Sequence, residues 1–471
     1  MPAREVMPAQ KNLIFQGTYN KNSLIVFKRS MIKENFKPFF VKEKKMKKLI
    51  ALMFAMLFLG AGIAGASDLT MTGSYFVRGT YEDNLAYDAA NPQNDRNYGY
   101  YDHELDLITT WKIDDTTFVR ARFEMRDQSW GRGSDTVTES VHIGDTDNNI
   151  VVQEVWGQTT FTNGISLRTG LMGAGAWGTS FGNTSTEAFR IFATIPTQIG
   201  AVIAILEKPN NGASEAGNSV NGESNDIDVY HLALVTKVGD VNIKPIVSFI
   251  DANNINWGFD SQTILAQLSL DGKLGMFGFE ADFIYRDVDR TIPEAGTAAT
   301  EDYSLFGAYG NIWYQMQALR LGAFAAYGSW DDDAQQGFDF GDDFAPGNLL
   351  IMGDDLLGEG AGNVGAPVAE GGMVGAALFG IYGSYAVTDK LTLSAVAAYA
   401  KPDRDKALST GANVKKWDDA DIYELSAGFA YKITPSLTYD GGIGMAEVNF
   451  GDATPDPDTL VEAFHRLSFN F

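Results

Sequence analysis

From Leu69 to Tyr81 the chain changes character at almost every residue. Leu69, Met71, Gly73, Tyr75, Val77, Gly79 and Tyr81 alternate with Thr70, Thr72, Ser74, Phe76, Arg78 and Thr80. A period of two puts these sets on opposite faces of a β-strand and fits no helix. The pattern recurs with Leu105, Leu107 and Trp111 against Asp102, Glu104 and Asp106, and with Val119, Ala121, Phe123 and Met125 against Arg120, Arg122, Glu124 and Arg126. It returns downstream, where Phe277, Phe279, Phe283 and Tyr285 alternate with Glu280, Asp282 and Arg286, and Tyr423, Leu425, Phe429 and Tyr431 with Glu424, Ser426 and Lys432. From Ser67 onward no run approaches the ~18 apolar residues of a spanning helix, which argues against a helical membrane protein.

A soluble sandwich also alternates, so the connections decide. Short and long links take turns. Tight links fall near Asp114-Asp115, Asn163-Gly164, Pro196 to Ile199, Gly239-Asp240, Asp271 to Lys273, Gln317-Ala318, Thr388-Asp389 and Thr434-Pro435, with longer polar stretches at 82–98, 129–147, 209–224, 289–300, 331–372 and 402–419. The runs between them number 18, or 16 if the short runs 187–195 and 200–207 are not strands. An all-β transmembrane antiparallel barrel with short periplasmic turns and long extracellular loops has this layout.

Lipid offers no hydrogen-bond partner, so strands must close on themselves, one face toward hydrocarbon and the other toward the lumen. Tyr75, Tyr81, Trp111, Tyr285, Tyr423, Tyr431 and Tyr439 lie mostly toward strand ends, where aromatic rings suit the membrane interface.

The start of the chain divides differently. Met46 to Ala66 reads as two lysines, an apolar run from Leu49 and small residues ending Ala64-Gly65-Ala66, the pattern of a signal peptide cleaved before Ser67. Residues 1–45 are lysine-rich without clear period and read as an upstream extension, leaving 67–471 as the barrel. The chain has no cysteine, which excludes disulfides, thiolate metal sites and cysteine nucleophiles. Residues 1–66 hold 12 Lys+Arg and 3 Asp+Glu, so the mature chain keeps 24 basic and 57 acidic residues, a net charge of −33. A nucleic-acid partner needs a basic footprint and is excluded, whereas cations fit such a balance.

The sequence ends Phe464-His465-Arg466-Leu467-Ser468-Phe469-Asn470-Phe471, with Leu467, Phe469 and Phe471 on one face. A terminal phenylalanine on an alternating last strand, behind a signal peptide and a series of long loops and short turns, resembles the Gram-negative outer-membrane porins of the general, trimeric diffusion type. The resemblance implies an outer-membrane location among lipid and lipopolysaccharide, a homotrimer, and a third outer loop folded into the barrel as a constriction. That loop would be Gly173 to Thr186, with Gly173, Trp177, Phe181 and Asn183 as its candidates; it has no acidic residue, so acidic groups facing it would come from Asp102, Glu104, Asp106 or Glu154.

The residues themselves suggest a charged wall. Arg78, Arg120, Arg122, Arg126, Arg168 and Arg190 share the inner parity with Asp102, Glu104, Asp106 and Glu124. A β-hairpin register summing to 228 about Asp114-Asp115 would oppose Asp106 to Arg122 and Asp102 to Arg126. Fixed charges of both signs can filter solutes in a narrow pore, or they can simply solvate the inner wall. Asp331 to Gly372 contains ten acidic residues and no basic one. Asp331, Asp332, Asp333, Asp342 and Asp343 could hold a divalent cation, although an acid-rich run is more often a solvated outer loop. Nothing calls for a cofactor. Histidines 103, 142, 231 and 465 fall on different segments, which speaks against an enzyme.

The expected function is a porin for passive diffusion of small hydrophilic solutes and ions. Two alternatives stand beside it: an 18-strand channel specific for sugars or organic acids, for which Phe76, Trp156, Phe192 and Phe324 would be lumen aromatics, and a non-transporting structural or adhesive surface barrel.

Overall fold

A computed structural model describes residues 68–84, 97–130, 150–173, 175–183, 187–211, 226–254, 259–294, 297–331, 334, 336–341, 344–353, 375–403, 420–449 and 458–471. The strands are β1 (Leu69–Asp83), β2 (Tyr98–Lys112), β3 (Thr117–Ser129), β4 (Ile150–Thr160), β5 (Ser166–Gly173), β6 (Glu187–Thr197), β7 (Gly200–Asn211), β8 (Asp226–Val238), β9 (Val241–Asn254), β10 (Phe259–Leu274), β11 (Phe277–Glu294), β12 (Thr297–Met316), β13 (Leu319–Gly328), β14 (Trp330–Asp331), β15 (Gln336–Gly337), β16 (Ala376–Ala386), β17 (Leu391–Pro402), β18 (Asp421–Thr434), β19 (Leu437–Asn449) and β20 (Leu460–Asn470). The two-residue strands β14 and β15 pair only with each other. The other eighteen form one antiparallel sheet in which each strand pairs with the next, and β20 returns to β1 over the register Ser74↔Asn470 to Asp83↔Val461. A sheet closed in this way has no free edge.

Eighteen strands, rather than sixteen, follow because 187–195 and 200–207 lie in β6 and β7, paired from Thr197↔Gly200 to Phe189↔Lys208. Outward-facing positions carry exposed apolar side chains: Ile381 is 66% exposed, and Phe283 and Tyr285 share its outward character. Their neighbours Asp282 and Ile284 point inward and are buried. Alternation of this kind, apolar outside and mixed inside, suits a sheet between hydrocarbon and a lumen.

Three local expectations are corrected. The β2–β3 hairpin pairs Lys112↔Phe118 and Asp106↔Glu124, a sum of 230 rather than 228. The turn is centred one residue later because the Asp114 carboxylate accepts hydrogen bonds from the Thr116 amide and hydroxyl, both 2.7 Å, drawing Thr116 into the turn. A bulge between His103 and Leu105 then sets Asp102 opposite Ser129, not Arg126.

The turn expected at 271–273 falls instead at 275–276, where Gly275 supplies φ 66°. Nor is 289–300 a long loop, since β11 and β12 stay paired as far as Glu294↔Thr297.

Candidate functional site

Two connections fold into the barrel and meet there. The segment after β5 turns at Gly175 and Gly182, both at positive φ, and passes so close to the wall that a Cβ on Gly178 would collide with Ser269 and Asp282. Trp177 Nε1 donates to the Lys244 carbonyl at 2.9 Å, and the Thr179 amide and hydroxyl both donate to the Asp282 carboxylate. This pins the segment to the inner faces of β9–β11. Phe181, fully buried, then enters a socket of rings, 5.1 Å from Phe344, 5.3 Å from Phe338 and Phe340, and 5.7 Å from Tyr309. Next to it the Gly182 amide donates to the Phe340 carbonyl at 2.6 Å.

The second segment, after β13, departs from the expectation of an acid-rich outer loop. Its described part carries Phe338, Phe340, Phe344, Leu349, Ile351 and Met352 into the interior, all buried, against Leu305, Phe324, Leu378, Val396 and Ile422 of the wall. Glu424 on β18 receives its end: the amides of Leu350, Ile351 and Met352 donate to the carboxylate at 2.8, 3.4 and 2.6 Å. Averaging the charge over 331–372 hid the phenylalanines spaced two and four apart; that spacing is the sequence signal for the segment.

Of the proposed divalent-ion residues, Asp332, Asp333, Asp342 and Asp343 lie outside the described residues. Asp331 Oδ1 accepts from the Ala334 amide at 2.9 Å. Among the described residues no group of three acidic or histidine side chains is placed to hold a metal.

Charged side chains line the opposite wall. Arg78 grips Asp102, directly across the β1–β2 ladder, with Nε–Oδ1 3.2 Å and Nη2–Oδ2 2.8 Å. Arg122 holds Asp106 in the same bidentate manner at 3.0 and 2.8 Å, on the diagonal created by the shifted register. Two planar hydrogen bonds to one carboxylate fix both groups more firmly than a point contact would. Arg120 lies 3.7 Å from Glu154, Arg190 pairs with Glu207, and Arg466 pairs with Asp440 at 3.0 Å. Arg168 has a different setting: both its Nε and Nη2 donate to Gln158 Oε1, and its guanidinium lies over Trp156 at 4.3 Å and Phe192 at 5.4 Å. Glu124 accepts from Gln153. Glu104 is half-buried on β2, and the side chain of Arg126 lies outside the described residues.

The proposed lumen aromatics divide. Phe76 lies between Arg78 and Arg466, at 5.8 and 6.0 Å, while Trp156 is covered by arginines and Phe324 is buried beside Tyr382. His103 accepts from Trp130 Nε1 at 2.6 Å, and His465 bonds the Tyr101 hydroxyl at 3.2 Å on the outer face. His231 Nδ1 is 2.7 Å from Ser248 Oγ, with Glu207 3.6 Å from its other nitrogen, but Ser248 is only 3% exposed and the cluster ties β7, β8 and β9 together. His142 lies outside the described residues.

No protein-family model matches the chain, and no curated protein matches it in sequence. Solved structures do match in fold. Acinetobacter baumannii OccAB3 aligns with TM-score 0.51 at 11% identity over 85% of this chain and 99% of its own. A BenF-like porin from Pseudomonas fluorescens Pf-5 gives 0.51 at 9%, covering 85% and 98%, and Pseudomonas aeruginosa OccK8 (OprE) gives 0.50 at 11%, also covering 85% and 98%. At these identities the likeness is one of architecture: the chain shares with them a closed antiparallel β-barrel.

Proposed function

We propose that this protein is an outer-membrane porin, a water-filled channel through which small hydrophilic solutes and ions diffuse passively. One observation carries the reading: a closed barrel whose outer face is apolar holds a row of arginine–carboxylate pairs on its inner face. Charged pairs of this kind line a wall that water reaches, and their field acts on whatever passes. The two inward segments narrow the lumen, with Gly173, Trp177, Phe181 and Asn183 on the first of them. Arg78, Arg120, Arg122, Arg168 and Arg190, facing Asp102, Asp106 and Glu154, form the filtering wall, which Glu104, Glu124 and Arg126 extend. Delivery follows cleavage before Ser67, and the barrel works among outer-membrane lipid and lipopolysaccharide as a trimer.

Planar-bilayer recordings with the purified protein test this reading. Ion-permeable openings are expected, and their absence would favour a structural surface barrel. In a salt gradient, the mature charge of −33 leads us to expect a reversal potential of cation sign. The opposite sign would mean that the arginine wall outweighs the acidic loops.

The substrate-specific reading has one observation in its favour, the placing of Arg168 between Trp156 and Phe192. An aromatic sandwich of that kind holds a guanidinium in one orientation toward the lumen. Competition between a sugar or organic acid and ion current separates it from general diffusion.

A further inference from the structure

Another arginine in an aromatic setting lies on the inner wall, away from the row on β1–β6 and β20. Arg320, on β13, has its guanidinium 4.3 Å from the Trp313 ring and 5.7 Å from the Tyr382 ring. The clamp is written into the glycines of neighbouring strands. A Cβ on Gly278 would collide with the Trp313 indole and one on Gly322 with the Tyr382 ring, so both rings lie flat along the wall. Arg78, Arg120, Arg122, Arg190 and Arg466 each have a carboxylate partner. No carboxylate among the described residues pairs with Arg320, and its Nε is buried without a hydrogen-bond acceptor.

The nearest acid in its network is held two residues away. Arg320 Nη2 donates to the Tyr382 hydroxyl at 3.3 Å, Tyr382 donates to Asn311 Oδ1 at 3.1 Å, and Asn311 Nδ2 donates to Glu280 Oε1 at 2.9 Å. Glu280 is also claimed by the Tyr309 hydroxyl at 3.1 Å. Among the described residues no carboxylate therefore bonds the guanidinium directly, and it borders a cavity of about 180 Å³ whose other polar groups are neutral: Asn311, Asn348, Tyr382, Ser384 and Ser394. A guanidinium flanked by hydroxyls and amides, with no competing carboxylate on the cavity wall, presents donors to an anion.

We propose that this cavity is an oxyanion subsite, taking a phosphate, sulfate or carboxylate group on Arg320 with Ser384, Ser394 and Asn348 as neutral donors. Its size limits the bound part to a small group, and a larger cavity of about 650 Å³ shares Gly347, Asn348, Ser384 and Ser394 with it, leaving room for the rest of an organic anion. The subsite stands apart from the porin reading, because binding requires an open lumen but no net flux.

Isothermal titration and tryptophan fluorescence of the detergent-purified full chain test it, with sodium phosphate, sulfate and acetate titrated at constant ionic strength against chloride. Saturable binding of at least one oxyanion is expected, with a fluorescence change that disappears in Trp313→Phe. Arg320→Gln should weaken that binding at least about tenfold, the loss of a charged hydrogen bond, while Lys112→Gln, at the exposed β2–β3 turn, leaves it unchanged. Ser394→Ala, a milder change, should weaken it about threefold by removing one neutral donor. Response to phosphate or sulfate alone identifies an inorganic ion, and response to acetate identifies an organic acid. A chloride-like, non-saturating response to all three, or wild-type binding by a folded Arg320→Gln, overturns the proposal. Binding without conductance would sink the channel reading and leave the subsite standing.

Discussion

Gly73 and Phe471 exchange both of their main-chain hydrogen bonds, 2.8 Å from the Gly73 amide to the Phe471 carbonyl and 3.0 Å in return. The Phe471 ring lies over Gly73, within 2.8 Å of where a Cβ would stand, and the Asp106 carbonyl approaches from the other neighbouring strand. Gly73→Val should therefore strain the closure from both sides and cost about 1–3 kcal/mol, as overpacking does. A lower temperature for loss of the compact, gel-retarded barrel would show it; an unchanged one would mean that the seam tolerates a side chain.

Phe181→Ala should empty the socket formed by Phe338, Phe340, Phe344 and Tyr309. Truncating a fully buried phenylalanine costs about 3–5 kcal/mol. Because the ring joins two inward segments rather than two strands, the barrel should survive while the segments loosen. The expected record is a larger and noisier single-channel conductance.

Glu424→Gln tests the anchor of the second segment. The carboxylate accepts three backbone amides and the Ser426 hydroxyl at 2.5 Å, whereas an amide turns a donor toward some of them. Charged hydrogen bonds contribute about 1.5–3 kcal/mol each, so residues 344–353 should become cleavable by added protease in the variant and stay protected in the wild type. Equal protection in both would remove Glu424 from this role.

The β2–β3 turn has a definite acid response. Hydrogen bonds from the Thr116 hydroxyl and amide hold the Asp114 carboxyl below its ordinary range. With the folded value depressed, the turn is favoured above the unfolded carboxylate pKa, and this contribution is lost as pH falls through the lower folded value. Carboxyl chemical shifts followed by NMR should titrate below those of an unstructured aspartate, and Thr116→Val should bring the midpoint back up.

Strand number and connection order were readable because both are local. A turn such as Gly239-Asp240 or Gln317-Ala318 announces itself in neighbouring residues, and alternation names the faces. The β2–β3 register was not, since it depended on Asp114 reaching Thr116 and on a bulge at His103. The pairing of Arg122 with Asp106 survives that shift because the long arginine side chain reaches the carboxylate on the diagonal. The inward course of Phe338–Phe344 was masked by surrounding aspartates that dominate any window average. The site at Arg320 is not legible in the sequence for a different reason: its setting comes from Trp313, Tyr382, Gly278 and Gly322 on four strands, and no stretch of sequence holds them together.

The socket around Phe181 also says something about how this protein is made. Its walls come from β12 and from the segment beyond β13, far downstream, so the pocket does not exist while those parts of the chain are still unpaired. Contacts between such distant segments form late, after the loops between them have been closed. Burial of Phe181 is thus a timestamp on biogenesis, separating a finished barrel from one that has inserted its strands but not yet packed its interior.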